Sequence, residues 1–559
     1  WPLRPWLLAG LLGLAGLLIH FATDGHSDDP PRMALAAFLF FGPLAAAFSL
    51  ERERWKEAGI FALVAGLVMA GLAWRAVNTT EYSADGEYGF GAGVLSMVLA
   101  LPLFQAGFHR LRFKTPYRDT HFFVWTDAVS AGGSLAFTGL TFLMLVVLAQ
   151  LFHLLKIELL RDALDEGWFN WTVAGIAFGA ALGLLRNSLK ILGTLQSVVL
   201  LLLSVLAVPL ALALVAFLLA MVVSGPTVLW EATQSATPVL LACAIGAFVL
   251  ANAIVRDDDT ELTRSRVMRV AAFVLALGIL PLTVFAAISM GTRVAQYGLS
   301  PERLWALVAI VVAVAYGLAA LVAVIRGKLW GWRPYLRSAN LNLAIGVSVL
   351  ALILALPILD FGAISAANQV SRLERGDVSA KDFDYDALKW DFGESGRRAL
   401  AKLTKSGNAD IARLAKEAQA RKQRRWYWDI EQVDDRDKRL ANVHFQFDDP
   451  ALRKDVEEFV RREPNLCNQP CVVLDVGPTG KAKLWLAVVT SGNAQFAGRD
   501  SDGVLQFDYA LGVAAPVPAK PRSDAEKTAP GKAVPKVEVR SYTARQIYVD
   551  GEPVGQPFE

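Results

Sequence analysis

A chain of 559 residues that is 54% hydrophobic and only 19% charged is too apolar to be soluble along its whole length. Its net charge of +3 is small for this size and implies no nucleic-acid partner. Most charged residues lie in short loops or after Asp360, so the composition divides the chain into a membrane region and a separate polar domain.

A helix needs about 20 apolar residues to cross about 30 Å of hydrocarbon. Eleven runs meet that need, at roughly 5–22, 33–50, 58–74, 89–108, 130–153, 169–185, 196–222, 237–254, 268–290, 303–325 and 342–361. All must be helical, because lipid offers no partner to an unpaired backbone amide. The sequence starts at Trp1 without an initiator Met, so a trimmed N-terminus stays open. Trp6–Phe21 is read as a spanning helix, because no small-residue cleavage site follows it. Pro209 is expected to tilt or kink the long seventh run.

The loops alternate in Lys/Arg content. The N-terminus and the even-numbered loops hold eighteen: Arg4; Arg52, Arg54 and Lys56; Arg110, Arg112, Lys114 and Arg118; Arg186 and Lys190; Arg256, Arg264, Arg266 and Arg269; Arg326, Lys328, Arg333 and Arg337. The odd-numbered loops hold six: Arg32, Arg75, Lys156, Arg161, Arg293 and Arg303. Short basic loops stay cytoplasmic, so the reading places the N-terminus inside. Eleven crossings then carry the C-terminal domain outside. Trp residues near many run ends, among them Trp74, Trp168 and Trp305, fit the membrane interface.

Within the runs, Gly175, Gly179 and Gly183 form one smooth helix face for close packing, and Gly10, Gly13 and Gly16 repeat the pattern more weakly. Moving seams in transporters use the same device. Deep ionisable residues are scarce. Asp127 is either an interfacial helix start or a cavity residue. Gln150, His153 and Asn252 are candidates for interhelical hydrogen bonds or a polar site. The first outer loop carries Asp24, Asp28 and Asp29. Membrane glycosyltransferases that use lipid-linked sugars place catalytic acids in that loop, which makes these three candidate acids. A solvated turn ending at Pro30-Pro31 is the plain alternative.

After Gly362 the composition becomes that of a soluble α+β domain. A helix is expected over Val370–Lys389 and a longer one over Gly396–Trp428. The latter ends in Arg421, Lys422, Arg424 and Arg425 beside Trp426-Tyr427-Trp428, where a lipid-headgroup contact and a solvated helix end compete. A strand at Val443–Phe447, a helix at Pro450–Arg462 and strands at Val472–Val476, Lys483–Thr490, Gln495–Phe496 and Val504–Tyr509 follow. Pro516–Pro535 reads as a Pro/Ala/Lys linker, and Val537–Tyr542 with Gln546–Val549 as a hairpin or added edge strand. The divisions are therefore 1–361 bundle, 362–512 outer domain, 513–536 linker and 537–559 terminal strands.

Cys467 and Cys471 lie close together in the part assigned outside, and an oxidising compartment favours a disulfide between them. Cys-x3-Cys without a second Cys or His pair is a poor zinc site, and neither metal nor cofactor is expected. Gly477-Pro478-Thr479-Gly480-Lys481 lacks the spacing of a phosphate loop and reads as a hairpin turn. No G-x-S-x-G or H-E-x-x-H motif occurs, so a non-enzymatic role is preferred.

At Val370–Gly376, Phe383-Asp384-Tyr385 and Gly396–Leu400 the chain resembles an uncharacterised family of bacterial polytopic inner-membrane proteins, a domain of unknown function of the DUF 4153 type. The resemblance covers most of the chain, down to the Cys pair followed by Leu474-Asp475. Relatives often look Asp- and Gly-rich after that point, whereas Val476, Pro478 and Thr479 stand here. The resemblance implies a bacterial inner membrane and a periplasmic domain and supplies no activity. The expected fold is an all-α transmembrane bundle with a C-terminal extracytoplasmic α+β domain. The expected role is an envelope scaffold, assembly or sensing component, with membrane lipids and an envelope protein as partners and the oligomeric state open. A transporter or lipid flippase is the alternative, and a lipid-linked glycosyltransferase a further one.

Overall fold

The computed structural model describes the chain except residues 27, 79–83, 85, 225–235, 262–264, 425–438, 464–465, 476–484, 490–493, 500–504, 508–544, 550–551 and 559. Among the described residues, eleven helices are long and apolar enough to cross a membrane. They are α1 (Arg4–Thr23), α2 (Pro30–Ser49), α3 (Trp55–Asn78) and α4 (Gly86–Gln105), and, after the one-turn α5 (Phe108–Leu111), α6 (Tyr117–Leu154). Beyond the short α7 (Leu159–Asp165) come α8 (Gly167–Asn187), α9 (Leu189–Ser224), α10 (Ala236–Val255), α11 (Arg266–Tyr297), α12 (Pro301–Gly331) and α13 (Arg333–Ala355).

Two ends differ from the apolar runs. α6 begins at Tyr117 rather than near 130, because its polar first turns depress hydropathy without breaking the helix. The last span stops at Ala355, and a new helix, α14 (Phe361–Arg375), starts where the run was expected to end. The Asp360 carboxylate caps α14 by accepting from the Ala363 amide at 2.9 Å. α9 runs through Pro209 as one helix. α12 instead bends at Lys328, whose φ is +53°.

The bundle has two packed groups. In the first, α1 lies along α8 through Gly13 and Gly16 on one side and Gly175, Gly179 and Gly183 on the other. A Cβ at Gly179 would sit 2.3 Å from the Leu8 carbonyl oxygen, so only glycine permits this backbone approach. α2 and α3 pair across Gly42 and Gly66. In the second group, α9 to α13 share an Ala- and Leu-rich core around Leu240, Leu275, Ile279 and Leu282. Ser96 of α4 and Ser348 of α13 join the groups, each hydroxyl donating to the other's carbonyl at 2.9 and 3.1 Å. The first turns of α6 pack between them. Its other half is exposed at Leu135, Leu140, Leu143, Met144, Val147 and Leu151.

Four helices extend the first compact unit to Arg421: α14, α15 (Tyr385–Trp390), α16 (Gly393–Leu403) and α17 (Ala409–Ala420). The composition shift at 361 is therefore not where the compact unit ends. The single helix expected over Gly396–Trp428 is two, because the Asn408 side chain accepts from the amides of Asp410 and Ile411 and starts α17 afresh. α14 grips the turn after α11. The Leu299 amide donates to the Asn368 side chain, Gln369 donates to the carbonyls of Tyr297 and Leu299, and Arg372 to that of Gln296. Gly298, with φ +74°, makes that turn beneath Arg372.

The second unit, Lys422–Glu559, contains a five-stranded sheet ordered β1 (Val443–Phe445), β2 (Cys471–Asp475), β3 (Trp485–Val489), β4 (Ala494–Arg499), β5 (Leu505–Phe507). β1 and β2 run parallel and the other pairs antiparallel. α18 (Pro450–Arg462) lays Leu452, Val456, Phe459 and Val460 against one face. Cys467 and Cys471 are bonded in that core. β6 (Arg545–Val549) and β7 (Glu552–Phe558) form a separate two-stranded sheet. The Pro/Ala/Lys segment, the 477–481 motif, residues 426–428 and Arg425 lie outside the described residues.

Valine at Gly179 has to push α1 off α8, whereas valine at Gly139 meets open space. G179V is expected to lower the stability of the detergent-solubilised chain by about 1–3 kcal/mol and G139V by less than about 0.5. Thermal unfolding followed by circular dichroism checks both.

Candidate functional site

The ends of α1, α2, α4, α6 and α8 that carry Arg4, Leu50, Gln105, Asp127 and Arg186 meet at one end of the bundle. Helix C-termini there leave carbonyls without intrahelical partners. The Arg4 guanidinium donates to the carbonyls of Leu50 at 2.6 Å and Arg186 at 3.2 Å. The Gln105 amide donates to the Phe48 carbonyl at 2.8 Å and to Asp127 at 3.2 Å. Arg186 pairs with Asp127 at 3.1 Å, both side chains being about nine-tenths buried. Asp127 thus holds a buried ion pair that ties four helices. Asp127 Oδ2 and Gln105 Oε1 are buried without a hydrogen-bond partner among the described residues.

A second cluster lies against the start of α6. Arg337 of α13 caps α10 by donating to the carbonyls of Val255 and Arg256 at 2.7 and 3.0 Å. Its guanidinium also meets Asp259 at 2.8 Å, which Arg333 pairs at 3.1 Å. Asn340 donates to Asn252 at 2.7 Å, so Asn252 is engaged between α10 and α13.

Beside the first cluster opens a cavity of about 550 Å³. Arg54, Gln105, Gly107, Arg110, Asp119 and Phe122 are among its walls. Gly107, with φ +82°, reverses the chain after α4, so that Arg110 of α5 and Gln105 line the same space. His109 meets Glu57 at 3.2 Å and stacks on Phe104, which pins α5 to the start of α3. Arg54, Arg110 and Asp119 make no side-chain hydrogen bond or ion pair among the described residues.

The other sequence candidates are scattered. Gln150 is exposed, and His153 meets Glu158 at 2.6 Å nearby. The Asp24 carbonyl accepts from His26 Nδ1 at 2.5 Å, and Asp29 pairs with Arg32 at 3.4 Å. Asp28 is engaged as well. Arg421 is held by Asp386 at 2.7 Å, while Lys422 is exposed and Arg424 has a partner. Sequence reasoning counted Arg4, Arg54, Arg110, Arg186 and Arg337 only as orientation charges and missed Gln105 and Asp119. Gln105 at the end of an apolar run, followed by Gly107 and a basic turn, was the available signal.

Eleven membrane-length helices with a small sheet-bearing C-terminal unit define a polytopic membrane protein. The chain belongs to the family described as Domain of unknown function (DUF4153), matched over residues 35–403. No curated protein and no solved structure matches the chain. The matched stretch runs from α2 to the end of α16, so the family region includes helices beyond the last span.

Removing Arg186 leaves the Asp127 carboxylate buried and unpaired. Arg186→Ala is expected to cost about 3–5 kcal/mol, and Arg186→Met with Asp127→Leu to recover most of it. Chemical unfolding in micelles measures both. Hydrogen bonds from Arg333, then from Arg337, hold Asp259 below the usual carboxylate range despite partial burial. A depressed folded pKa means that this contribution is full above the ordinary carboxylate value, about 3.9, and is lost as pH falls through the folded value. The Tm difference between wild type and Asp259→Asn is therefore expected to be present at neutral pH and to shrink as the pH falls below that range.

Proposed function

We propose that this chain is an inner-membrane scaffold, assembly or sensing component of a bacterial envelope, with its N-terminus in the cytoplasm and its sheet-bearing unit outside. The eighteen-to-six Lys/Arg asymmetry supports that orientation. The Cys467–Cys471 bond agrees with an oxidising compartment for the second unit.

The observation that carries a scaffold role is the second half of α6. In its most apolar 18-residue window only 6% of residues are buried, against 50% for α11. A spanning helix with so little packing inside its own bundle offers a continuous apolar surface to another membrane protein. Ion-coupled transport has less support, because the buried charges described above gather at helix ends rather than at mid-membrane.

Two measurements test this reading. Alkaline phosphatase fused after Glu559 is expected to be active outside the cytoplasm, and activity of a cytoplasmic reporter alone at that position refutes the orientation. A photo-crosslinking residue at Leu143 or Val147 is expected to give a discrete protein adduct in native membranes. The same residue at buried Leu275 gives none. Lipid adducts alone at α6 refute the scaffold role.

A further inference from the structure

The cavity beside Gln105 is built from both charge signs and an apolar wall. Arg54 reaches it from the α2–α3 turn, Arg110 from α5 and Asp119 from the first turn of α6. Asp127, Asp257 and Asp259 are all in ion pairs. By contrast, the two guanidinium groups and the carboxylate all remain open while lining one space. Two guanidinium forks match the oxygens of a phosphate monoester or diester. One carboxylate beside them matches an amine with N–H donors.

The cavity also has a defined depth. Gln105 is the last residue of a spanning helix, so the space lies where hydrocarbon gives way to headgroups. Leu111 and Phe122, 46% and 40% exposed, border it on the apolar side. Its volume of about 550 Å³ falls in the range of small-molecule sites, about 300–1,000 Å³. A ligand that joins a phosphate, a primary amine and acyl chains satisfies each wall.

We propose that the cavity formed by Arg54, Arg110, Asp119, Leu111 and Phe122 binds the headgroup of an aminophospholipid, with phosphate on the two arginines, ammonium on Asp119 and acyl chains along Leu111 and Phe122. It lies in the leaflet that faces the basic loops. A glycerol headgroup would bring only neutral hydroxyls to Asp119, a hydrogen bond without the charge of an ammonium. A trimethylated amine would bring no N–H to the carboxylate. The site is independent of the scaffold role, and either can fail without the other.

The purified full-length chain in micelles carrying equal amounts of phosphatidylethanolamine, phosphatidylcholine and phosphatidylglycerol gives the test, with retained lipid counted by native mass spectrometry. Wild type is expected to retain phosphatidylethanolamine over the other two by about tenfold, the worth of one charge-assisted hydrogen bond. Arg54→Gln with Arg110→Gln is expected to lose about tenfold or more of all three. Asp119→Asn is expected to keep phosphatidylglycerol and lose the preference for the amine. All three side chains are exposed, so unchanged Tm values are expected alongside. Equal retention of the three lipids by wild type refutes the proposal without any variant. So does undiminished retention by the double arginine variant, or an unchanged preference in Asp119→Asn. Free O-phosphoethanolamine that displaces the lipid at equal concentration identifies a soluble phosphoamine as the ligand and refutes the lipid.

Discussion

A helix end inside a membrane bundle leaves carbonyls that neither lipid nor the helix itself can satisfy, and this structure meets that constraint with guanidinium groups. Arg4 serves the ends of α2 and α8, Arg337 the end of α10, and Arg372 the end of α11. Each arginine comes from a different helix than the one it caps. Capping therefore also fixes which helices are neighbours. A cation at a helix C-terminus gains from the macrodipole as well, so the same contact is favourable twice over.

The first group of helices shows how the constraint propagates. Glycine faces on α1 and α8 bring their backbones together. That approach places Arg4 beside the end of α8, and Arg186 then turns to Asp127 on α6. The ion pair holds the first turns of α6, from which Asp119 and Phe122 reach the cavity. Among the described residues, the second half of α6 makes no ion pair to another spanning helix, its His153 meeting only Glu158 in the following turn. One helix is thus anchored through charge at one end and left apolar and unpacked at the other. These two properties set the proposed lipid site and the proposed partner surface on opposite halves of the same element.

Eleven membrane-length helices were legible because a helix that crosses hydrocarbon must be apolar along about 20 residues. The helix expected at Pro450–Arg462 is α18, which Asp449 caps and which buries Leu452, Val456 and Phe459. The start of α6 was not, because hydropathy registers lipid contact, and Asp127 and His121 face protein instead. The break at Asn408 was hidden for a related reason. Apolar residues at helical spacing continue on both sides of it, and only the local cap interrupts the hydrogen-bonding. Arginines in loops were visible as charge. Their use as caps depends on which carbonyl lies within reach after folding.

The sequence by itself determined the class of protein, the number of membrane-length helices and the alternation of basic loops, since these follow from solvation of each segment taken alone. It also placed two cysteines near enough in the chain to bond. The tertiary structure decided that the first compact unit runs to Arg421, that Asn252 meets Asn340, that Asp127 meets Arg186, and that Arg54, Arg110 and Asp119 share one cavity. Those are contacts between residues far apart in the chain. They depend on how closely the glycine faces let helices approach, a distance that no single segment specifies.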